Sequence, residues 1–123
     1  MAYKDLRHWM KEIERVGELK HITAEVDWDL ELSGIARRVA NQDGPALLFE
    51  NIKGYRSTAC RRLFINGLGS RERMAMALGL PRETNFRGIT EFVKERLTKQ
   101  VPPVVVTSGP VKENIVKGPR LPE

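Results

Sequence analysis

Apolar residues near the start of the chain recur at a helical interval. Leu6, Trp9, Met10, Ile13 and Val16 form one stripe of a 3.6-period helix, with Arg7, Lys11, Glu12 and Glu14 on the other faces. Asp5 places negative charge at the positive end of that helix's dipole. Gly17 suits the left-handed residue that closes it. A stripe tryptophan such as Trp9 reads as core rather than as a ligand platform.

The period then changes to two. In Glu18-Leu19-Lys20-His21-Ile22-Thr23-Ala24-Glu25-Val26, one face of a strand carries Lys20, Ile22, Ala24 and Val26, with Lys20 at its rim. Asp27-Trp28-Asp29 breaks the strand. Either aspartate can cap the next helix, whose stripe is Leu32, Ile35, Ala36 and Val39. Asn41-Gln42-Asp43-Gly44-Pro45 ends it with turn residues. Ala46-Leu47-Leu48-Phe49-Glu50 is nearly all apolar, the pattern of a strand buried on both faces. A turn over 51–55 leads to a strand at Leu63-Phe64-Ile65-Asn66.

Gly67-Leu68-Gly69-Ser70 links that strand to a helix over 71–78, with Ser70 as N-cap and Gly79 and Pro81 as the stop. A fourth helix begins near Thr84 or Asn85 along the stripe Phe86, Ile89, Phe92, Val93 and Leu97, weakened locally by Gly88. After Pro102-Pro103 the run Val104-Val105-Val106 is strand-like. The stretch 111–118 alternates but has nothing left to pair with. The expected fold class is α+β: a small mixed sheet of three or four strands with helices packed on it.

Composition narrows the function classes. A chain of 123 residues, 41% hydrophobic and 30% charged, is one globular domain and not a disordered segment. No apolar run is long enough to span a membrane, and the charged N-terminus does not suit a signal peptide. Cys60 stands alone, which excludes an internal disulfide and a cysteine-based zinc cluster. The expectation is a cytoplasmic protein. Charge is uneven: residues 1–50 carry seven Lys or Arg against ten Asp or Glu, and residues 51–123 carry fourteen against six. The basic half allows a nucleic-acid or an acidic protein partner. The cations are scattered and aromatics sparse, which disfavours nucleic acid.

Candidate chemistry is thin. The Gly67-Leu68-Gly69-Ser70 turn has the placement of a phosphate cradle. However, Glu72 stands where a dinucleotide fingerprint needs its third glycine, so a capped strand-to-helix turn is the better reading. His8 and His21 have no metal-ligand spacing, and the sequence places no carboxylate beside either. Asp27 and Asp29 are explained by capping without a metal. Glu12 and Glu14 lie on different helix faces and read as solvated charge. Cys60 precedes Arg61 and Arg62, which favours a thiolate, yet no base or pocket accompanies it. Arg71 and Arg73 open a helix, where cations are unfavourable. They therefore answer to something outside the helix, with an acidic partner surface the expectation. On these residues alone, a binding or interface module outweighs an enzyme.

The order of segments nevertheless resembles the start of the UbiD-type decarboxylases. The similar pieces are Tyr3-Lys4-Asp5-Leu6-Arg7, Gly17-Glu18-Leu19, Glu25-Val26-Asp27 with Leu30-Glu31, and Ile35-Ala36-Arg37-Arg38-Val39. The most specific is Gly44-Pro45-Ala46-Leu47-Leu48-Phe49-Glu50-Asn51-Ile52-Lys53-Gly54-Tyr55. Then follow the stretch 69–80 from Gly69-Ser70-Arg71-Glu72-Arg73, Pro102-Pro103-Val104, and Val111-Lys112-Glu113-Asn114-Ile115-Val116-Lys117-Gly118.

The resemblance implies reversible decarboxylation of an aromatic, notably phenolic, or α,β-unsaturated carboxylic acid. It implies prenylated FMN, a divalent metal such as manganese, and potassium in the parent enzyme. It places the acid/base and metal residues in a later flavin-binding split β-barrel, so no catalytic, cofactor-binding or metal residue is assigned to this chain, and none of these groups is expected bound to it. Residues 1–100 are then an N-terminal α/β domain, and 101–123 begin the connection to the barrel. Val104, Val106, Lys112, Asn114 and Ile115 are the interdomain-contact candidates. The implied partners are that barrel, the aromatic acid of the full-length enzyme and further copies in a homo-oligomer, with no membrane or nucleic acid. The orphaned segments 104–106 and 115–116 present an edge through which isolated chains are expected to pair. The rivals are a stand-alone accessory module and a weak nucleic-acid binder.

Overall fold

The computed structural model describes residues 3–58, 60–113 and 115. The elements, in chain order, are α1 (Leu6–Arg15), β1 (Leu19–Ile22), α2 (Glu31–Ala40), β2 (Ala46–Phe49), β3 (Leu63–Ile65), α3 (Arg71–Ala77) and α4 (Phe86–Leu97), with a 3-10 turn at Pro110–Lys112. The α+β expectation holds.

The helix ends follow local chemistry. The Asp5 carboxylate accepts from the His8 N–H at 2.8 Å and caps α1. At the other end Gly17 takes φ 77°, and the N–H groups of Gly17 and Glu18 donate to the carbonyls of Glu14 and Ile13. That is a Schellman closure. α3 repeats it, with Ser70 Oγ capping the Arg73 N–H and Gly79 at φ 74°. α2 departs from expectation. Neither Asp27 nor Asp29 caps it: the N-cap is Leu30, with no side-chain cap bond. Asp27 Oδ1 instead accepts from the Asp29 N–H, and the Glu31 carboxylate reaches back to the Asp27 N–H at 2.8 Å. Leu30 sits at φ 62°, ψ −40°, inside a three-residue turn closed by Glu31 N–H to the Asp29 carbonyl at 2.7 Å.

The sheet order is β1-β2-β3, with β1 parallel and β3 antiparallel to the central β2. β2 is buried along its whole length. Its alternation splits the core in two. Leu47 and Phe49 meet Leu32 and Ala36 of α2, together with Val26 and Ile52. Ala46 meets Trp9 and Ile13 of α1 on the opposite face. β1 is shorter than expected. The chain leaves the ladder after Ile22, where β2 also ends, and pairing resumes only at the Val26–Ile52 bridge, so Ala24 is exposed.

The stripe of α4 is buried at Ile89, while Phe86 and Leu97 at its two ends face solvent. The strand expected at 104–106 is not formed: those residues have no regular secondary structure and, among the described residues, no neighbouring strand. Pro102 and Pro103 also remove two donors from any ladder there. Nor is 111–113 a strand, since Val111 and Lys112 lie in the 3-10 turn. Among the described residues no helix is long and apolar enough to cross a membrane.

Candidate functional site

Arg73 is the largest fully buried side chain, although it opens a helix. Its Nη1 donates to Glu18 Oε2 at 2.6 Å and its Nη2 to the Gly44 carbonyl at 3.0 Å, while Nε has no partner. The other oxygen of Glu18 pairs with Arg82. Glu18 is placed for this by the Schellman turn after α1, and its carbonyl accepts from the Ala46 N–H at 2.9 Å. One residue, through its carboxylate and its carbonyl, thus ties the turn between α1 and β1 to β2, α3 and the segment after α3. The acidic group that Arg73 answers to is in its own chain, which corrects the expectation of an external acidic surface. Arg71 is also internally committed, donating to the carbonyls of Arg82 and Thr84 and to Glu72. The backbone bond from its own N–H, with Arg71 beside it, holds the Glu72 carboxyl below its usual range.

The glycine turn before α3 is a packing device. A Cβ on Gly67 would come within 2.7 Å of the Phe64 ring. The cleft beside it, about 330 Å³, is lined by Asp43 and Glu72 as well as Arg71. Two carboxylates repel a phosphate, and Ser70 Oγ is used by its cap.

His21 lies between two carboxylates that the sequence did not place beside it. Nε2 is 3.0 Å from Glu14 Oε1 on α1, and Nδ1 is 3.0 Å from Glu50 Oε1 just after β2. Glu14 is therefore more than solvated charge. His8 accepts from the Lys4 N–H and rests edge-on to Tyr3. The Tyr3 hydroxyl donates to the Met76 carbonyl at 3.0 Å, and burial pushes its pKa above the ordinary value. Lys53 meets Asp27 at 2.8 Å, which lowers the carboxyl and raises the amine. Cys60 is exposed. Among the described residues no group of three or more His, Cys, Asp or Glu can hold a metal ion.

Four of the five interdomain candidates are exposed. Val104 is 86% exposed, Val106 65% and Ile115 62%, with Val101, Val105 and Val111 exposed beside them. Lys112 is exposed as well, and Asn114 lies outside the described residues. So many uncovered β-branched side chains in one segment exceed the scattered apolar exposure of an ordinary surface.

Comparison with known proteins agrees with this architecture. Residues 10–93 match the sequence model of the 3-octaprenyl-4-hydroxybenzoate carboxy-lyase N-terminal domain. The chain is similar to the vanillic acid decarboxylase of Sedimentibacter hydroxybenzoicus in its closed form. The TM-score is 0.77 at 33% identity, over 94% of this chain and 25% of that one. It is also similar to the UbiD-class enzyme HmfF of Pelotomaculum thermopropionicum in complex with FMN, with TM-score 0.68 at 31% identity, over 89% of this chain and 23% of that one. An evolved dimeric form of that enzyme, in complex with prFMN, matches with TM-score 0.64 at 30% identity, over 79% of this chain and 20% of that one. The chain spans about a quarter of the length of the first two proteins. With its two-sided core and three-stranded mixed sheet, the chain belongs to the UbiD carboxy-lyase family as an N-terminal domain.

Proposed function

We propose that this chain is the scaffolding N-terminal domain of a carboxy-lyase that reversibly decarboxylates an aromatic, phenolic or α,β-unsaturated acid. The observation that carries the scaffolding role is the exposed apolar row from Val101 to Ile115, which lies beyond the C-terminal end of the family-matched residues 10–93. Residues 1–100 act as the packing unit. Residues 101–123 act as the start of a connection to a flavin-binding barrel, with Val104, Val106, Lys112, Asn114 and Ile115 as the interdomain contacts. The similarity to a vanillic acid decarboxylase supports a phenolic acid as substrate of the parent enzyme.

The flavin phosphate does not fit the Gly67-Leu68-Gly69-Ser70 turn, because Asp43 and Glu72 line its cleft and Arg71 is already committed. We therefore assign prenylated FMN, the divalent metal and potassium to the remainder of the parent enzyme, along with acid/base chemistry. The parent is read as a cytoplasmic homo-oligomer.

A chimera tests this reading. This chain replaces the matching segment of the Sedimentibacter vanillic acid decarboxylase, and CO2 release from vanillate is measured with the flavin supplied. The chimera is expected to release CO2, and Val104→Asp with Val106→Asp to reduce that release at least about tenfold through lost interdomain packing. The chain alone with the same flavin and acid is expected to release none. Turnover by the isolated chain refutes the scaffolding role. An inert chimera that is folded and flavin-loaded refutes the interdomain fit.

A further inference from the structure

The α1 side of the sheet is only half covered. Trp9 and Ile13 pack over Ala46, with Leu19 beside them. Beyond them an open groove of about 610 Å³ runs between the first turns of α1 and the strands. Its floor is apolar, with Leu48 and Phe64 from the sheet and Leu6 and Met10 from the helix. Leu6 remains 57% exposed although it belongs to the helix's apolar stripe.

Arg7, Lys11 and Arg62 stand around that floor. None of the three makes an ion pair among the described residues. The two carboxylates of the groove are both engaged by the fold: Asp5 accepts from the His8 N–H, and Glu14 faces His21. The groove is thus lined by three cations against these two carboxylates, and the excess is positive.

We propose that this groove docks an acidic, amphipathic polypeptide segment. Its apolar side chains lie on Leu48 and Phe64, and its carboxylates meet Arg7, Lys11 and Arg62. An apolar floor rimmed by cations matches an amphipathic segment whose apolar side chains turn onto the floor while its long acidic side chains reach sideways to the rim. The charge complementarity sets orientation and encounter rate, and the floor supplies the affinity. A nucleic acid fits less well, because Phe64 and the carboxylate-flanked His21 imidazole are the two rings among the described lining residues and three cations do not track a phosphate backbone. The inference stands apart from the decarboxylase reading.

The test uses the intact 123-residue chain and a fluorescein-labelled decapeptide alternating glutamate with leucine or phenylalanine, followed by fluorescence anisotropy. Binding is expected, weakening as salt rises. Arg62→Glu and Lys11→Glu are each expected to weaken it about tenfold. Leu6→Ser is expected to weaken it a few-fold without changing charge. Arg87→Glu on α4, outside the groove, is expected to leave it unchanged, and circular dichroism verifies that each variant is folded.

Four results overturn the proposal. The first is no binding at millimolar peptide. The second is equal binding by the Arg62→Glu variant. The third is equal binding of the peptide with lysine in place of glutamate. The fourth is an oligonucleotide, or a second copy of the chain, that occupies the groove more tightly and with the same dependence on Arg62.

Discussion

Replacing Glu18 by alanine strands a guanidinium. The Arg73 side chain is 1% exposed, so water cannot take over the contact that Glu18 Oε2 makes at 2.6 Å. Arg73 would keep the Gly44 carbonyl alone, with Nε already unpartnered. Removing one member of a buried ion pair costs about 3–5 kcal/mol, because the remaining charge is left desolvated. A domain of this size has only about 5–15 kcal/mol in total. Arg82 loses the same partner but is 40% exposed, so its share is about 0–1 kcal/mol.

The reverse deletion is asymmetric. Arg73→Met removes the buried charge and keeps an apolar stem in its place, while Glu18 retains Arg82, so its cost is about 1–2 kcal/mol. The double variant Glu18→Ala with Arg73→Met is therefore expected to be more stable than Glu18→Ala alone. Urea unfolding followed by circular dichroism reads this as a shift in midpoint at constant slope. A double variant no more stable than Glu18→Ala, or a Glu18→Ala cost below about 1 kcal/mol, refutes the stranded-charge argument.

Three further outcomes follow from other contacts. Tyr3→Phe removes the donor to the Met76 carbonyl and is expected to cost about 1 kcal/mol, read as a lowered midpoint in the same unfolding assay. Leu30→Gly relieves the positive φ of the turn before α2. It is expected to raise stability by about 1 kcal/mol, and a fall in thermal midpoint contradicts that strain. Asp27 titrates below its ordinary 3.8, so its contact with Lys53 stabilises the fold above that value and is lost as pH falls through the lowered one. Lys53 titrates above its ordinary 10.5, so the same contact persists below 10.5 and is lost as pH rises through the raised value. Asp27→Asn is expected to flatten both limbs of the stability–pH curve, and unchanged limbs overturn the assignment.

The local signals were legible in the sequence because each rests on neighbouring residues. The Ser70 cap, the Gly17 and Gly79 closures and the all-apolar β2 are set within a few positions of one another. What stayed hidden depends on distance along the chain. His21 and Glu50 are 29 positions apart, and Arg73 and Glu18 are 55 apart. The parallel pairing of β1 with β2 is what brings His21 to Glu50, and the docking of α3 is what brings Arg73 to Glu18. The sole trace was the misplaced charge at the start of α3, which pointed away from the helix but not to Glu18. The capping of α2 was misread for a related reason. The Asp27 carboxylate is taken by the Asp29 N–H and by Lys53, and the tight turn at Leu30 moves the helix start beyond both aspartates. The run 104–106 has the composition of a strand but no partner to form a ladder, so propensity alone could not make it one.

The carboxylate of Glu18 has a consequence in time as well as in energy. Its two arginine contacts close loops of 55 and 64 residues. Loops of that length are expensive to close early, so local turns and single helices form first. The Glu18 contacts then belong to the downhill side of the folding barrier. Disrupting them is expected to leave the refolding rate nearly unchanged and to speed unfolding about a hundredfold or more. A single buried charge would thus govern how long the folded domain lasts, and hardly at all how fast it arises.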